Sequence, residues 1–384
     1  MSNRAAVQLQ VLLTIILELA GFGKNDSKEK AAALSSDRFS LSGKRAKNGN
    51  KWIAAFPVIL ACMIGGVWVG NARADVLQTT ISTGTKSEPY AIAINSAWNK
   101  IYVANNVKLY DSVWIIDGST NVKSAVALGD NYSSAIALDS VNNMIYVLNS
   151  NSVIVISGAT GLVVGAPIPV GNLPVAIAVN SVTHQIYVAN SGGGTVTVID
   201  GNGMNQPTTI PVGNSPVAIA VNSATNKMYV ANSGDGTVTV IDGSGNGQPT
   251  TLAVGKNPVA MAVNSVTNKI YVANSGDNSV TVIDGNGINQ PGSIIVGNTP
   301  SAIAANSATN MVYVANFNDN TVTIIDGGTN RATNSVNVTE SPAAITVNSV
   351  TNKIYVSGSD GEDSTTIING STNFCTITSA IKYS

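Results

Sequence analysis

Cysteine is nearly absent from this chain. Among 384 residues only Cys62 and Cys375 carry a thiol, and Cys62 falls in an N-terminal leader that is expected to be removed. Cys375 alone cannot form an intramolecular disulfide. Histidine is scarcer still, with His184 the single instance. One histidine and one thiol supply neither a transition-metal cluster nor a Ser/His/Asp triad, and they offer no ligand set for iron or haem. Glutamate occurs three times between 75 and 384, at Glu88, Glu340 and Glu362, so general acids and bases are few. No stretch from 76 onward shows helical periodicity.

Positive charge is also missing where a nucleic acid would need it. Residues 1–74 hold ten Lys/Arg against four Asp/Glu, whereas residues 75–384 hold ten against seventeen. The body is therefore net −7 and the leader +6. Nucleic-acid binding needs clustered Lys/Arg, and a net-acidic body argues against it. The leader reads "KRAKNGNK", then "WIAAFPVILACMIGGVWVG" (52–70), then "NARAD". A basic region, an apolar run and a small-x-small site describe a secretory signal, with cleavage after Ala74. The apolar run spans 19 residues, long enough for an uncleaved membrane anchor. "ILAC" ending at Cys62 gives a weaker lipoprotein-type match, since the apolar run continues past the cysteine. The upstream stretch "AAVQLQVLLTIILELAG" (5–21) reads equally as an apolar helix, an extended leader or translated sequence before the real start.

What the chain does have is repetition. "IYVANSGGGTVTVIDGNG" at 186 returns as "MYVANSGDGTVTVIDGSG" at 228 and "IYVANSGDNSVTVIDGNG" at 270. Anchored on tyrosine there are seven copies, at Tyr102, Tyr146, Tyr187, Tyr229, Tyr271, Tyr313 and Tyr355, spaced 44, 41, 42, 42, 42 and 42 residues apart. A proline stands thirteen residues before each tyrosine except in the second copy, which has Ser133. Each unit holds four short runs such as "VAIAV", "KMYVAN", "TVTVID" and "TTLAV". Their Val, Ile, Thr and Tyr suit strands, and the Asn-, Gly- and Pro-rich separators suit turns. Four strands in every 40 or so residues mark a propeller blade. The expected fold is all-β, a seven-bladed β-propeller of four-stranded antiparallel blades over 75–384, preceded by the export leader. "AIAV" should be an inner strand buried on both faces, and "TVTV" should lie nearer the rim. The strand-like "TTISTG" (79–84) and "TITSAI" (376–381) compete for the outer position of the last blade. The N-terminal one is expected to take it.

The pattern "P-x-A-I-A-V-N … I-Y-V-A-N … V-T-V-I-D-G … V-G-N" resembles the YVTN-family β-propeller repeats, including those of surface-layer proteins, across essentially all of 79–384. The family phrase reads YVAN here, YVLN at 146 and YVSG at 355. The resemblance implies the seven-bladed propeller. It implies little chemistry, because propellers host many unrelated functions.

His184 occupies the turn position held by Asn99, Asn143, Asn226, Asn268, Asn310 and Asn352 in the other copies, and reads as one more polar turn residue. Asp117, Asp200, Asp242, Asp284 and Asp326 precede glycine at strand ends and should bond local turn N–H groups. Lys227 should approach Asp242, and Lys269 should approach Asp284. Asp235, Asp277 and Asp319 sit in the hairpins between second and third strands, where turn chemistry accounts for them. "DGEDS" (360–364) is the densest acidic stretch and only weakly suggests calcium. Gly-rich segments such as "SGGG" do not open a helix, so phosphate binding of that type is not indicated.

Aromatics off the repeat pattern gather around the first unit: Trp98 in a turn, Tyr110 in a hairpin lengthened by two residues, and Tyr132 just before the missing proline. In an antiparallel blade the hairpin between strands two and three shares a face with the loop leading into strand one. Tyr110, Tyr132, Asp235, Asp277 and Asp319 should therefore share one face and form a candidate partner-binding patch, with Trp98 on the opposite face. No catalytic, cofactor or metal-binding residue is assigned. The expected function is an exported, non-enzymatic propeller that binds a protein or a cell-envelope component, or that forms part of the envelope. It would be a monomer without nucleic acid, touching a membrane only through an uncleaved leader. The alternative is a propeller enzyme of lactonase-like or redox type.

Overall fold

In a computed structural model the described residues are 89–105, 111–129, 133–202, 206–244, 248–286, 289–338, 340–358, 365–370 and 376–377. The leader, the segment 79–84 and the acidic stretch 360–364 lie outside them. Among the described residues there is no helix, and the strands form seven four-stranded antiparallel sheets. Each tyrosine copy supplies one sheet. In blade four the strands are Pro216–Asn222, Lys227–Asn232, Thr237–Asp242 and Thr250–Ala253, in that spatial order.

The two faces of a blade differ, and the difference follows from alternation along the strands. In blade four Ala220, Tyr229 and Val240 are cross-strand neighbours on one face. That face meets Met261, Val263, Ile270, Val272 and Ile283 of blade five in one buried cluster. A small-residue face carrying the tyrosine thus packs on the Ile/Val face of the next blade. Six such clusters occupy the six junctions from blade one to blade seven. The first strands of successive blades touch one another directly, which makes them innermost, as the "AIAV" pattern predicts; they are mostly half-buried rather than buried on both faces, and the third strands are the more deeply buried.

The junction between blades seven and one is different. Ile92 and Ile94, on the Ile/Val face of blade one, are 64% and 63% exposed. Their counterparts Ile219 and Val221 are half-buried. Tyr355 is also only half-buried, whereas the six other anchor tyrosines are 0–1% exposed. The outer edge of blade seven is occupied by Thr376–Ile377, paired as Ile367 with Ile377 and Ile368 with Thr376. This corrects the expectation that the N-terminal strand takes that edge. A nearby C-terminal segment closes a short loop, which costs less chain entropy than recruiting a strand from the far end.

Candidate functional site

Three hairpin carboxylates lie on one face, and each is bound to the loop that leads into its own blade. Asp235 accepts the Asn214 backbone N–H at 2.6 Å and the Asn214 side-chain amide at 2.8 Å. Asp319 does the same with Asn298, at 2.7 and 2.6 Å. Asp277 accepts the Lys256 N–H at 3.0 Å and the Ser279 hydroxyl at 2.8 Å. The Asn214 backbone N–H, then its side chain, hold the Asp235 carboxyl below its usual range, because both donate to the charged form. The clamp explains one glycine: a Cβ on Gly213 would stand 2.7 Å from the Asp235 carboxylate. These bonds also demonstrate that the hairpin and the lead-in loop share a face.

Tyr110 and Tyr132 lie outside the described residues. Their chain neighbours do not. Asp111 accepts the Ser133 backbone N–H at 2.7 Å and the Ser133 hydroxyl at 3.3 Å. The residue after each tyrosine is therefore joined to the residue after the other, across two blades. Trp98 is exposed on the opposite face, as expected. Trp114, in the third strand of blade one, has the Lys123 ammonium 4.6 Å above its ring.

The opposite face carries a ladder that the sequence reading missed. At each of five junctions the asparagine ending the first strand donates its side-chain amide to the turn asparagine of the next blade. The pairs are Asn95–Asn143 (3.0 Å), Asn180–Asn226 (2.7 Å), Asn222–Asn268 (2.6 Å), Asn264–Asn310 (2.8 Å) and Asn306–Asn352 (2.7 Å). The turn residue sits at positive φ in all seven copies, from 48° at Asn99 to 59° at His184. Asparagine tolerates that region, which accounts for the residue type. The junction of blades two and three replaces both partners at once: His184 Nδ1 lies 2.6 Å from Asp139 Oδ2, and Asp139 is fully buried. His184 is therefore an inter-blade partner as well as a turn residue. The available signal was Asp139 itself, since the other six copies end this strand in Asn. Beside the pair, the buried Tyr146 hydroxyl has no hydrogen-bond partner. Burial, followed by the charges of Asp139 and Asp200, pushes its pKa to about 12.

The strand-end aspartates behave as turn residues. Asp200, Asp242, Asp284 and Asp326 each accept the N–H two residues on, at 2.7–3.0 Å. Lys100 pairs with Asp117 at 2.8 Å and, with turn N–H groups, holds that carboxyl well below the usual range. Lys227 and Lys269 meet the expectation only in part: the Ser244 bonds and, last, the nearby Lys227 charge hold the Asp242 carboxyl low, but neither lysine bonds its aspartate. They are in register with Asp242 and Asp284, yet Lys227 donates to the Asn286 carbonyl (2.8 Å) and Lys269 to the Gly327 carbonyl (2.7 Å), one blade on. Turn bonding does not bar a lysine, since Asp117 accepts two turn N–H groups and Lys100 together; in blades four and five a carbonyl of the neighbouring turn lies within reach of the long lysine stem and takes the ammonium. Among the described residues no three His, Cys, Asp or Glu side chains come together.

No family model matches the chain, and no curated protein is similar to it at a significant level. Solved structures are similar. A structure described as streptogramin B lyase matches at TM-score 0.57 and 15% identity, covering 72% of this chain and 92% of its own. The hydrazine synthase of Kuenenia stuttgartiensis matches at TM-score 0.59 and 17% identity, covering 76% of this chain and 99% of its own. At such low identity these likenesses show the fold alone, and that fold is a β-propeller.

Proposed function

We propose that the protein is an exported, non-enzymatic β-propeller of YVTN type that binds a protein partner at, or forms part of, the cell envelope. The observation that carries this reading is the Asp111–Ser133 bond, which brings together the chain neighbours of Tyr110 and Tyr132. Around the same face, Asp235 and Asp319 each hold a hairpin to a lead-in loop through two bonds. Loops fixed in advance lose little freedom on docking, and aromatic side chains supply contact area at low conformational cost. The chemistry-bearing groups are meanwhile spent on structure: His184 on Asp139, Asp117 on Lys100, Asp235 on Asn214.

Changing Tyr110 and Tyr132 together to Ser should weaken capture of the envelope partner by more than ~1 kcal/mol, with the melting temperature near wild type. A large drop in melting temperature would identify them as packing residues and remove the patch. The enzyme alternative is tested by assaying purified protein on lactones with and without divalent metal; robust turnover would displace the binding reading. Export is tested separately. N-terminal sequencing of native protein should find a chain beginning at Asp75, whereas a membrane-embedded chain retaining Trp52 to Gly70 would establish an anchor.

A further inference from the structure

Between Lys123 and Lys227 the chain carries no lysine or arginine. Its ionisable side chains over that span are Asp130, Asp139, Asp200, His184 and three tyrosines, Tyr132, Tyr146 and Tyr187. Blades two and three therefore lack the lysine that begins the second strand elsewhere, at Lys100, Lys227, Lys269 and Lys353, and have Met144 and Gln185 in its place. The next cation along the ring, Lys227, is drawn away to the Asn286 carbonyl of blade five. His184 is consequently the only side chain of blades two and three that can become positive.

What it faces is negative. Asp139, ending the first strand of blade two, has a fully buried side chain and lies 2.6 Å from His184 Nδ1, whereas the imidazole is 20% exposed. The other Asp139 oxygen accepts the Val141 and Asn142 N–H groups of its own turn. From blade three the charged group is Asp200, which ends the strand whose following Gly201 N–H donates to the His184 carbonyl at 2.9 Å. From the second strand of blade two comes the neutral Tyr146 phenol, on which the charges of Asp139 and Asp200 both act. A carboxylate only accepts, so Nδ1 keeps its proton towards Asp139 and Nε2 is the nitrogen that gains or loses one. With Nε2 protonated, the ring is a cation against a buried carboxylate, where attraction is poorly screened. With Nε2 bare, a single hydrogen bond from a neutral ring remains. The five amide rungs have no proton to exchange.

We propose that the rung between blades two and three is a pH-sensitive latch in the propeller: protonation of His184 tightens the junction, and loss of the proton loosens it. The sign follows from what each state offers the imidazolium. Folding sets it against a buried carboxylate, while unfolding leaves both groups in water. Acid therefore favours the folded ring over the range in which histidine changes charge, about pH 5 to 8, and stability falls as pH rises through it. Carboxylates ordinarily titrate below that range, and lysines and tyrosines above it. The latch involves no part of the Tyr110/Tyr132 patch.

The test is thermal melting of the purified protein at about pH 5.5 and about pH 8, which bracket the charge change. Wild type should melt at the higher temperature in acid, by about 2 °C or more. The variant carrying Asp139→Asn with His184→Asn has nothing at this rung to titrate, so its two midpoints should coincide. Asp139→Asn alone keeps the histidine but presents an amide that can donate to Nδ1, which suits the neutral ring. There the difference should vanish or reverse. Each protein is compared with itself at two pH values, so a variant of lower overall stability still gives a reading. A wild type that melts equally at both pH values or higher at pH 8 would overturn the proposal, and so would either variant if it kept the wild-type difference.

Discussion

Replacing Tyr229 by Ala should lower the free energy of unfolding by about 3–5 kcal/mol, and the same change at Tyr355 should cost less than half as much. Tyr229 is 0% exposed and fills the junction of blades four and five. Its hydroxyl donates to the Gly285 carbonyl of the next blade at 2.8 Å. Burial, followed by the charge of Asp284, pushes its pKa to about 12, so the phenol remains a neutral donor at every ordinary pH. Truncation removes the ring, leaves a cavity between two tightly packed sheets and strands the Gly285 carbonyl. Tyr355 occupies the same register, between Thr346 and Ile367. It is half-buried, however, because the face it offers to blade one is not covered. Denaturant melts of the two variants read the difference directly. Equal losses would mean that the seventh junction is sealed in solution as tightly as the other six.

That asymmetry was not legible in the sequence, for a physical reason. The first and seventh copies keep the apolar alternation of the rest, in "YAIAIN" and "AAITVN", with only single departures such as Tyr90 and Thr346. Side-chain pattern reports which face of a strand is apolar, not whether a neighbour has arrived to cover it. The blades themselves were legible, because four strands with turn residues between them recur on a period of about 42 residues and local preferences agree with the global fold. The hairpin acids were legible as turn residues, but their partners were not. Asp235 and Asn214 are 21 residues apart, a separation that only the antiparallel order of a whole blade brings to contact.

The inter-blade ladder was hidden for a related reason. Its asparagines are 46 residues apart in four of the five rungs, and each taken alone is an adequate turn residue. Uniform repeats conceal pairing, because a contact conserved in every copy leaves nothing that varies together. Only the junction where both members change exposes it.

That junction yields the second large effect. His184→Ala should destabilise the fold by about 3 kcal/mol or more, because it leaves the Asp139 carboxylate buried with one oxygen unpaired. The Val141 and Asn142 N–H groups would still reach the other oxygen, at 3.1 and 3.4 Å, but these are turn bonds and do not join the blades. Asp139→Ala should cost a similar amount, since it strips both N–H groups of their acceptor and removes the partner of the imidazole. The informative variant carries Asp139→Asn and His184→Asn together. It rebuilds the amide rung found at five other junctions, with the turn position still occupied by a residue that accepts positive φ, and should fall within about 1 kcal/mol of wild type. Melting all three side by side separates two meanings of the pair. If the double variant is restored, the Asp–His rung and the amide rung are interchangeable solutions to one constraint, the bonding of a strand end to the next blade's turn. If it is as unstable as either alanine variant, the surroundings of this junction require the carboxylate and the imidazole themselves, and the buried Tyr146 hydroxyl beside them is the first group to change next.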